Sequence, residues 1–205
     1  MRYDPALHNR RSIRLRGYDY SGPGAYFITI CTHNRKCLFG KITDGKMVLN
    51  HAGHVAKKCW QAIPDHFPHA TIDEFIIMPN HIHGIIFLNN NGGANVGANV
   101  GAKNFSPLRQ RYRTTPHGTS KTIGSMVRGF KIGVTKWFRQ NTRIHHVWQR
   151  NYWEHIVRDE QELARIRQYI VNNPAKWELD RNFTGRRPNT LSESSAKYGV
   201  EPWMV

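Results

Sequence analysis

Three short runs rich in β-branched and aromatic residues constrain this 205-residue chain more than any other feature: Ala25–Thr32 (AYFITICT), Ile72–Met78 and His81–Leu88. Each has the composition and length of a strand bounded by turn residues. The second and third are separated only by Pro79-Asn80, a dipeptide that favours a turn, so they are expected to pair as an antiparallel hairpin. Between and after them the apolar period changes to that of helices. Asn50 caps a helix expected to run to about Ile63, where Pro64 stops it. From Ser120 to Gln140, Ile123, Met126, Val127, Phe130, Val134, Trp137 and Phe138 recur at helical spacing, with Gly124, Gly129 and Gly133 as weak points. Leu38–Ile42 and Lys46–Leu49 form a small strand pair around Asp44-Gly45.

Further on, His146–Val157 alternates as a strand, with Val147, Gln149, Asn151, Trp153, His155 and Val157 on one face. Asp159 then opens a helix, with Glu162 three residues on completing a capping-box pattern, and Pro174 ends it. Strand, helix, two strands, helix, strand, helix is the order of an α+β sandwich: an antiparallel-rich sheet with helices on one face, near the ferredoxin-like or RRM-like arrangement. We divide the chain into a basic N-terminal arm (1–20), a folded domain (21–178) that includes a flexible loop (89–119), and a polar tail (179–205). The tetrapeptide repeat in GGANVGANVGA lies in that loop and is too short for a solenoid.

Charge narrows the function. With 30 Lys plus Arg against 14 Asp plus Glu, the net charge is +16, which points to a polyanionic partner, nucleic acid first; a solvated cationic surface is the competing reading. No apolar run approaches the ~20 residues of a membrane span, and MRYDPALHNRRSIRLRGYDY has no signal-peptide core, so a soluble, cytoplasmic protein is expected. Cys31, Cys37 and Cys59 form no CxxC pair or disulfide framework, which fits a reducing compartment.

His81-Ile82-His83 is the first candidate site. Alternate residues of a strand share a face, so the two imidazoles project side by side, about 6.6 Å apart along the backbone, while Ile82 enters the core. Two neighbouring imidazoles suit one divalent metal, although paired strand histidines also serve ordinary hydrogen bonds. In the last helix Leu163, Ile166 and Ile170 form the buried stripe. Tyr169 and Asn173, four apart on its flank, offer a phenol and an amide to the same neighbour, unless they are a packing tyrosine and a helix cap.

Taken together, PNHIHGIIFL (Pro79–Leu88), WQRNYWEHIV (Trp148–Val157) and IRQYIVNNPAKW (Ile166–Trp177) resemble the single-tyrosine HUH transposases, most closely the REP-associated tyrosine transposase branch. The opening RRSIRLRGYDYSGPGAYFITICT is similar to the start of that branch, and the resemblance covers about residues 10–178. It implies that His81 and His83 bind the metal, that Tyr169 is the nucleophile, and that Asn173 is the third, polar ligand. The implied reaction is site-specific cleavage and strand transfer on single-stranded or hairpin DNA through a 5′-phosphotyrosine, leaving a free 3′-OH. An oxygen-containing mixed site suits Mg²⁺ or Mn²⁺ better than structural Zn²⁺. No GxxxxGK[ST] loop is present, so no nucleotide cofactor is expected.

Arg10, Arg11, Arg14 and Arg16 of the arm are the first candidates for DNA contact, and Arg150 and Arg158 the second; a monomer or homodimer is expected. Tyr152 is the competing nucleophile. Two other functions compete: a non-catalytic RRM-like nucleic-acid-binding module, and a replication-initiator or relaxase-type HUH nuclease.

Overall fold

The computed structural model describes residues 22–89, 121–183 and 185. Strand β1 (Gly24–Cys31) lies inside a four-stranded sheet of order β4-β5-β1-β6, formed with β4 (Ala70–Ile77), β5 (His81–Leu88) and β6 (Trp153–Val157). Every neighbouring pair is antiparallel. A separate hairpin joins β2 (Gly40–Thr43) to β3 (Lys46–Leu49). Helices α1 (His51–Gln61), α2 (Ile63–His66), α3 (Ile123–Asn141) and α4 (Glu160–Asn172) complete the fold. Strand, helix, strand pair, helix, strand around one antiparallel sheet is the expected split-βαβ sandwich.

Helices cover both faces of the sheet, not one. On the first face Tyr26, Ile28 and Ile30 of β1 and Ile82, Ile86 and Leu88 of β5 pack with Ala56 and Trp60 of α1 and Met126, Phe130 and Val134 of α3. On the second, Ala25, Phe27, Ile85 and Phe87 pack with Leu163, Ile166 and Ile170 of α4. The alternation of β5 therefore turns Ile82 toward α1 and α3, as the sequence indicates, and turns His81 and His83 toward α4.

Gly84 is needed for this packing: a Cβ there would overlap the Trp60 indole. Gly133 likewise lets α3 approach Cys59 of α1, where an added Cβ would lie 3.2 Å from the thiol sulfur. Helix α3 is continuous, capped by Thr122 and Ser125 in a reciprocal box.

Several boundaries differ from expectation. Pro64 sits in the first turn of α2 and does not end helical structure. The strand expected over His146–Val157 is confined to β6, with one isolated bridge from Trp148 to Thr32. The reason lies in α3: the Lys131 ammonium donates to the carbonyls of Gln149 (2.8 Å) and Asn151 (3.0 Å), which removes them from any ladder. At α4 the capping box is half made. Asp159 accepts from the Glu162 amide, whereas the Glu162 carboxylate takes the Arg158 amide (2.7 Å) and His155 Nε2 (2.8 Å).

Gly84→Ala should cost about 1–3 kcal/mol of stability, because the added methyl must displace a buried indole. A urea titration that leaves the midpoint unchanged would contradict this packing.

Candidate metal and nucleophile site

The site is built where β5 passes under α4. The His81 and His83 rings lie 4.5 Å apart, centre to centre, and both side chains are fully buried. His81 is oriented by Asn80, a buried turn residue whose Oδ1 accepts from His81 Nδ1 at 2.8 Å. The Asn80 amide is fixed in that sense because its Nδ2 donates to the carbonyls of Arg35 (3.1 Å) and Asn182 (2.8 Å). The proton of His81 thus sits on Nδ1, and Nε2 presents a lone pair. His83 Nδ1 is bonded to the Thr29 hydroxyl at 2.8 Å.

Tyr169 comes from the flank of α4, and its hydroxyl lies 3.2 Å from His83 Nε2. One turn later Asn173 is buried, and its Nδ2 donates to Asp180 Oδ2 at 3.0 Å. Sequence reasoning missed Asp180. The 3-10 segment Pro174–Leu179 follows α4, and Trp177 stacks on His81 at 5.8 Å, which folds the chain back over the histidines. Asp180 Oδ2 then stands 3.9 Å from His81 Nε2 and accepts from the Tyr169 hydroxyl at 3.4 Å. Its Oδ1 accepts from the Asn182 amide. Asp180 and Asn182 thus pack into the site from beyond residue 178, where the tail is expected to begin.

Among the described residues, His81, His83 and Asp180 form a buried cluster whose ligand atoms lie within 4.8 Å of one another. Two buried acceptors at its edge have no hydrogen-bond partner, His81 Nε2 and Asn173 Oδ1. Buried polar atoms are normally satisfied, so two orphaned lone pairs beside a carboxylate fit a divalent cation.

Burial holds both imidazoles neutral, with His81 pushed down to about 4 despite Asp180, and His83 pushed well below its ordinary value by burial and by His81. Burial and the Asp180 carboxylate raise the Tyr169 phenol well above its ordinary range, while Arg181 opposes the rise. Tyr169 is therefore a protonated phenol at neutral pH unless further positive charge stands beside it.

The remaining expected residues are spread out. Arg10, Arg11, Arg14 and Arg16 fall outside the described residues, as does the GANV repeat. Arg158 is exposed at the β6–α4 junction. Arg150 and Tyr152 line a groove of about 680 Å³ along α3, together with Arg128, Lys131, Lys136 and Arg139, and Tyr152 also borders the smaller cleft lined by Thr29 and Arg181. That groove is on the sheet face opposite Tyr169. Among the described residues, Arg35 and Arg181, which no sequence pattern marked, are the cations that act electrostatically on His81.

No family model matches the chain. An uncharacterized protein of Haemophilus influenzae is 51% identical over 183 residues, covering 89% of this chain and 97% of its own length, and the chain belongs to one family with it. A second Haemophilus influenzae protein, named "Putative REP-associated tyrosine transposase", is 27% identical over 158 residues, 77% of this chain and 74% of that one. A solved structure of a REP-associated tyrosine transposase bound to a REP hairpin aligns with a TM-score of 0.52 at 18% identity, covering 82% of this chain and 74% of that one. The chain is thus similar in sequence to one protein named as a putative REP-associated tyrosine transposase and in fold to another. Its sheet and packed helices have the fold of that REP-associated tyrosine transposase. Among the described residues no helix is long and apolar enough to cross a membrane.

Two outcomes check the site. Asn80→Ala should lower Mn²⁺ affinity about 10–100-fold by freeing the His81 ring, read by calorimetry; unchanged affinity would remove Asn80 from its orienting role. With chelator present, the unfolded chain binds more protons than the folded one between about 6.5 and the lowered histidine values. Stability should therefore fall as pH is lowered from 7 to 5, and a urea midpoint that is flat across that window would contradict the neutral burial of the pair.

Proposed function

We propose that the protein is a metal-dependent, site-specific single-strand DNA endonuclease and strand transferase that acts on hairpin-bearing DNA through Tyr169. The observation that carries this reading is the meeting of the Tyr169 hydroxyl with His83 and Asp180 beside two unpartnered buried acceptors. Similarity to the REP-associated tyrosine transposases, and the REP hairpin in the aligned structure, support hairpin DNA as the substrate. The net charge of +16 supports a polyanion.

His81, His83 and Asp180, with the Asn173 amide oxygen beside them, would hold Mg²⁺ or Mn²⁺. Bound there, the cation would supply Lewis-acid stabilisation of the negative charge that develops on the scissile phosphate during attack. The chain's own groups supply the rest. Asp180 Oδ2, which already accepts from Tyr169, takes the phenol proton. The phenolate oxygen bonds to phosphorus as the P–O3′ bond breaks, and the departing oxygen takes a proton from water to give a free 3′-OH. Asn173 keeps Asp180 aimed at the phenol. Because the phosphotyrosine retains the bond energy, a 3′-OH can later displace Tyr169 and rejoin the strand.

The test is incubation with Mn²⁺ and a hairpin oligonucleotide taken from the DNA flanking the protein's own gene. The expected product is a denaturation-resistant adduct, absent with chelator and lost by at least about 10³-fold in Tyr169→Phe, since the phenol oxygen that would form the ester is then missing. An adduct that survives Tyr169→Phe and disappears with Tyr152→Phe would overturn the assignment. Hairpin binding without metal uptake or cleavage would favour the non-catalytic module.

A further inference from the structure

In the turn between Thr32 and Lys36, two consecutive residues other than glycine, Asn34 (φ 54°) and Arg35 (φ 52°), hold left-handed backbone. Such residues are uncommon and strained, and they persist where surrounding contacts fix them. Here those contacts lead to the residues beside His81 and Asp180.

Three segments meet there in a closed triangle of hydrogen bonds. The turn is joined twice to Asn80, the residue before His81: the Thr32 amide donates to the Asn80 carbonyl (2.9 Å), and Asn80 Nδ2 donates to the Arg35 carbonyl (3.1 Å). Asn80 Nδ2 also donates to the Asn182 carbonyl (2.8 Å), which ties the end of β5 to the segment that returns from α4 with Asp180. The third side belongs to the Arg35 side chain, whose Nη1 donates to the Arg181 carbonyl at 3.1 Å. Asp180 Oδ1 accepts from the Asn182 amide, so the carboxylate is fixed to the same stretch of backbone that Arg35 holds. Arg35 is exposed, and its charge opposes a positive charge on His81. Through charge alone it would therefore work against a bound cation; through its hydrogen bonds it works for one.

We propose that Arg35 is a positioning residue for the metal site: with its carbonyl on Asn80 and its guanidinium on the Arg181 carbonyl, it clasps the returning segment to the end of β5 and so sets Asp180 against the two imidazoles. This rests on the function proposed above. The left-handed backbone lets one residue reach both partners. With the clasp open, Asp180 is free to withdraw, and the ligands no longer arrive together.

The experiment compares three variants of the full-length protein by Mn²⁺ calorimetry, urea titration and, without metal, hydrogen exchange at the Asn182 amide. Arg35→Met keeps the carbonyl and much of the side-chain length but removes the donor. Arg35→Lys keeps a donor and the charge, and Asn34→Gly relieves backbone strain while leaving the contacts of Arg35 in place. Arg35→Met should weaken Mn²⁺ binding about tenfold, Arg35→Lys by less than about threefold, and Asn34→Gly should leave it unchanged. In metal-free Arg35→Met the Asn182 amide should exchange faster while the urea midpoint stays at the parent value, because an exposed hydrogen bond adds little to the fold. Unchanged or tighter Mn²⁺ binding in Arg35→Met would mean that charge alone is felt and would overturn the proposal. Weaker binding that comes with a lower urea midpoint, or with an Asn182 amide as protected as in the parent, would overturn it as well. Failure of the parent protein to take up Mn²⁺ would instead overturn the functional reading on which the proposal rests.

Discussion

The period of two in β5 is the constraint on which the rest depends. Because the sheet is covered on both faces, each residue of this strand is committed to one core or the other, and all eight are buried. Ile82, Gly84 and Ile86 serve the face of α1 and α3, so His81 and His83 have no choice but the face of α4. A slip of one residue would exchange the two sets, placing the imidazoles under Trp60 and removing them from Tyr169. Full pairing with β1 from Cys31 to Gly24, and the closeness of Gly84 to Trp60, hold the register.

Burial on that face costs the imidazoles their solvation, and the site recovers it through directed contacts. Asn80 and Thr29 each take one ring nitrogen, while Trp177 and Phe27 stack against the rings. What remains is two inward lone pairs, a carboxylate and a protonated phenol, with Arg35 and Arg181 at the rim. Such a centre carries the single negative charge of Asp180 in its depth and is cationic at its mouth, a distribution that suits a cation inside and a polyanion at the rim.

Much of this could be read from the sequence because it follows from short periods. Alternation placed His81 and His83 together, and helical spacing put Tyr169 and Asn173 on one flank beside Leu163, Ile166 and Ile170. The rest depends on contacts with no local period. Asp180 lies in a polar, turn-rich stretch, and only the docking of Trp177 on His81 carries it back; the aromatic at Trp177 was the available signal. Residues 146–152 alternate as a strand would, yet the Lys131 ammonium, distant in sequence, takes the carbonyls of Gln149 and Asn151. Arg150 lines the groove along α3. Arg35 and Arg181 belong to turns, whose side-chain directions follow from backbone geometry that composition does not encode.

Anomalous diffraction from crystals grown with Mn²⁺ tests the central claim most directly. The account predicts one strong peak at bonding distance, about 2.0–2.2 Å, from the Nε2 atoms of both His81 and His83, with Asp180 or Asn173 completing the protein ligands and the Tyr169 hydroxyl alongside. An ion bound elsewhere, or none between the two imidazoles at millimolar Mn²⁺, would contradict it.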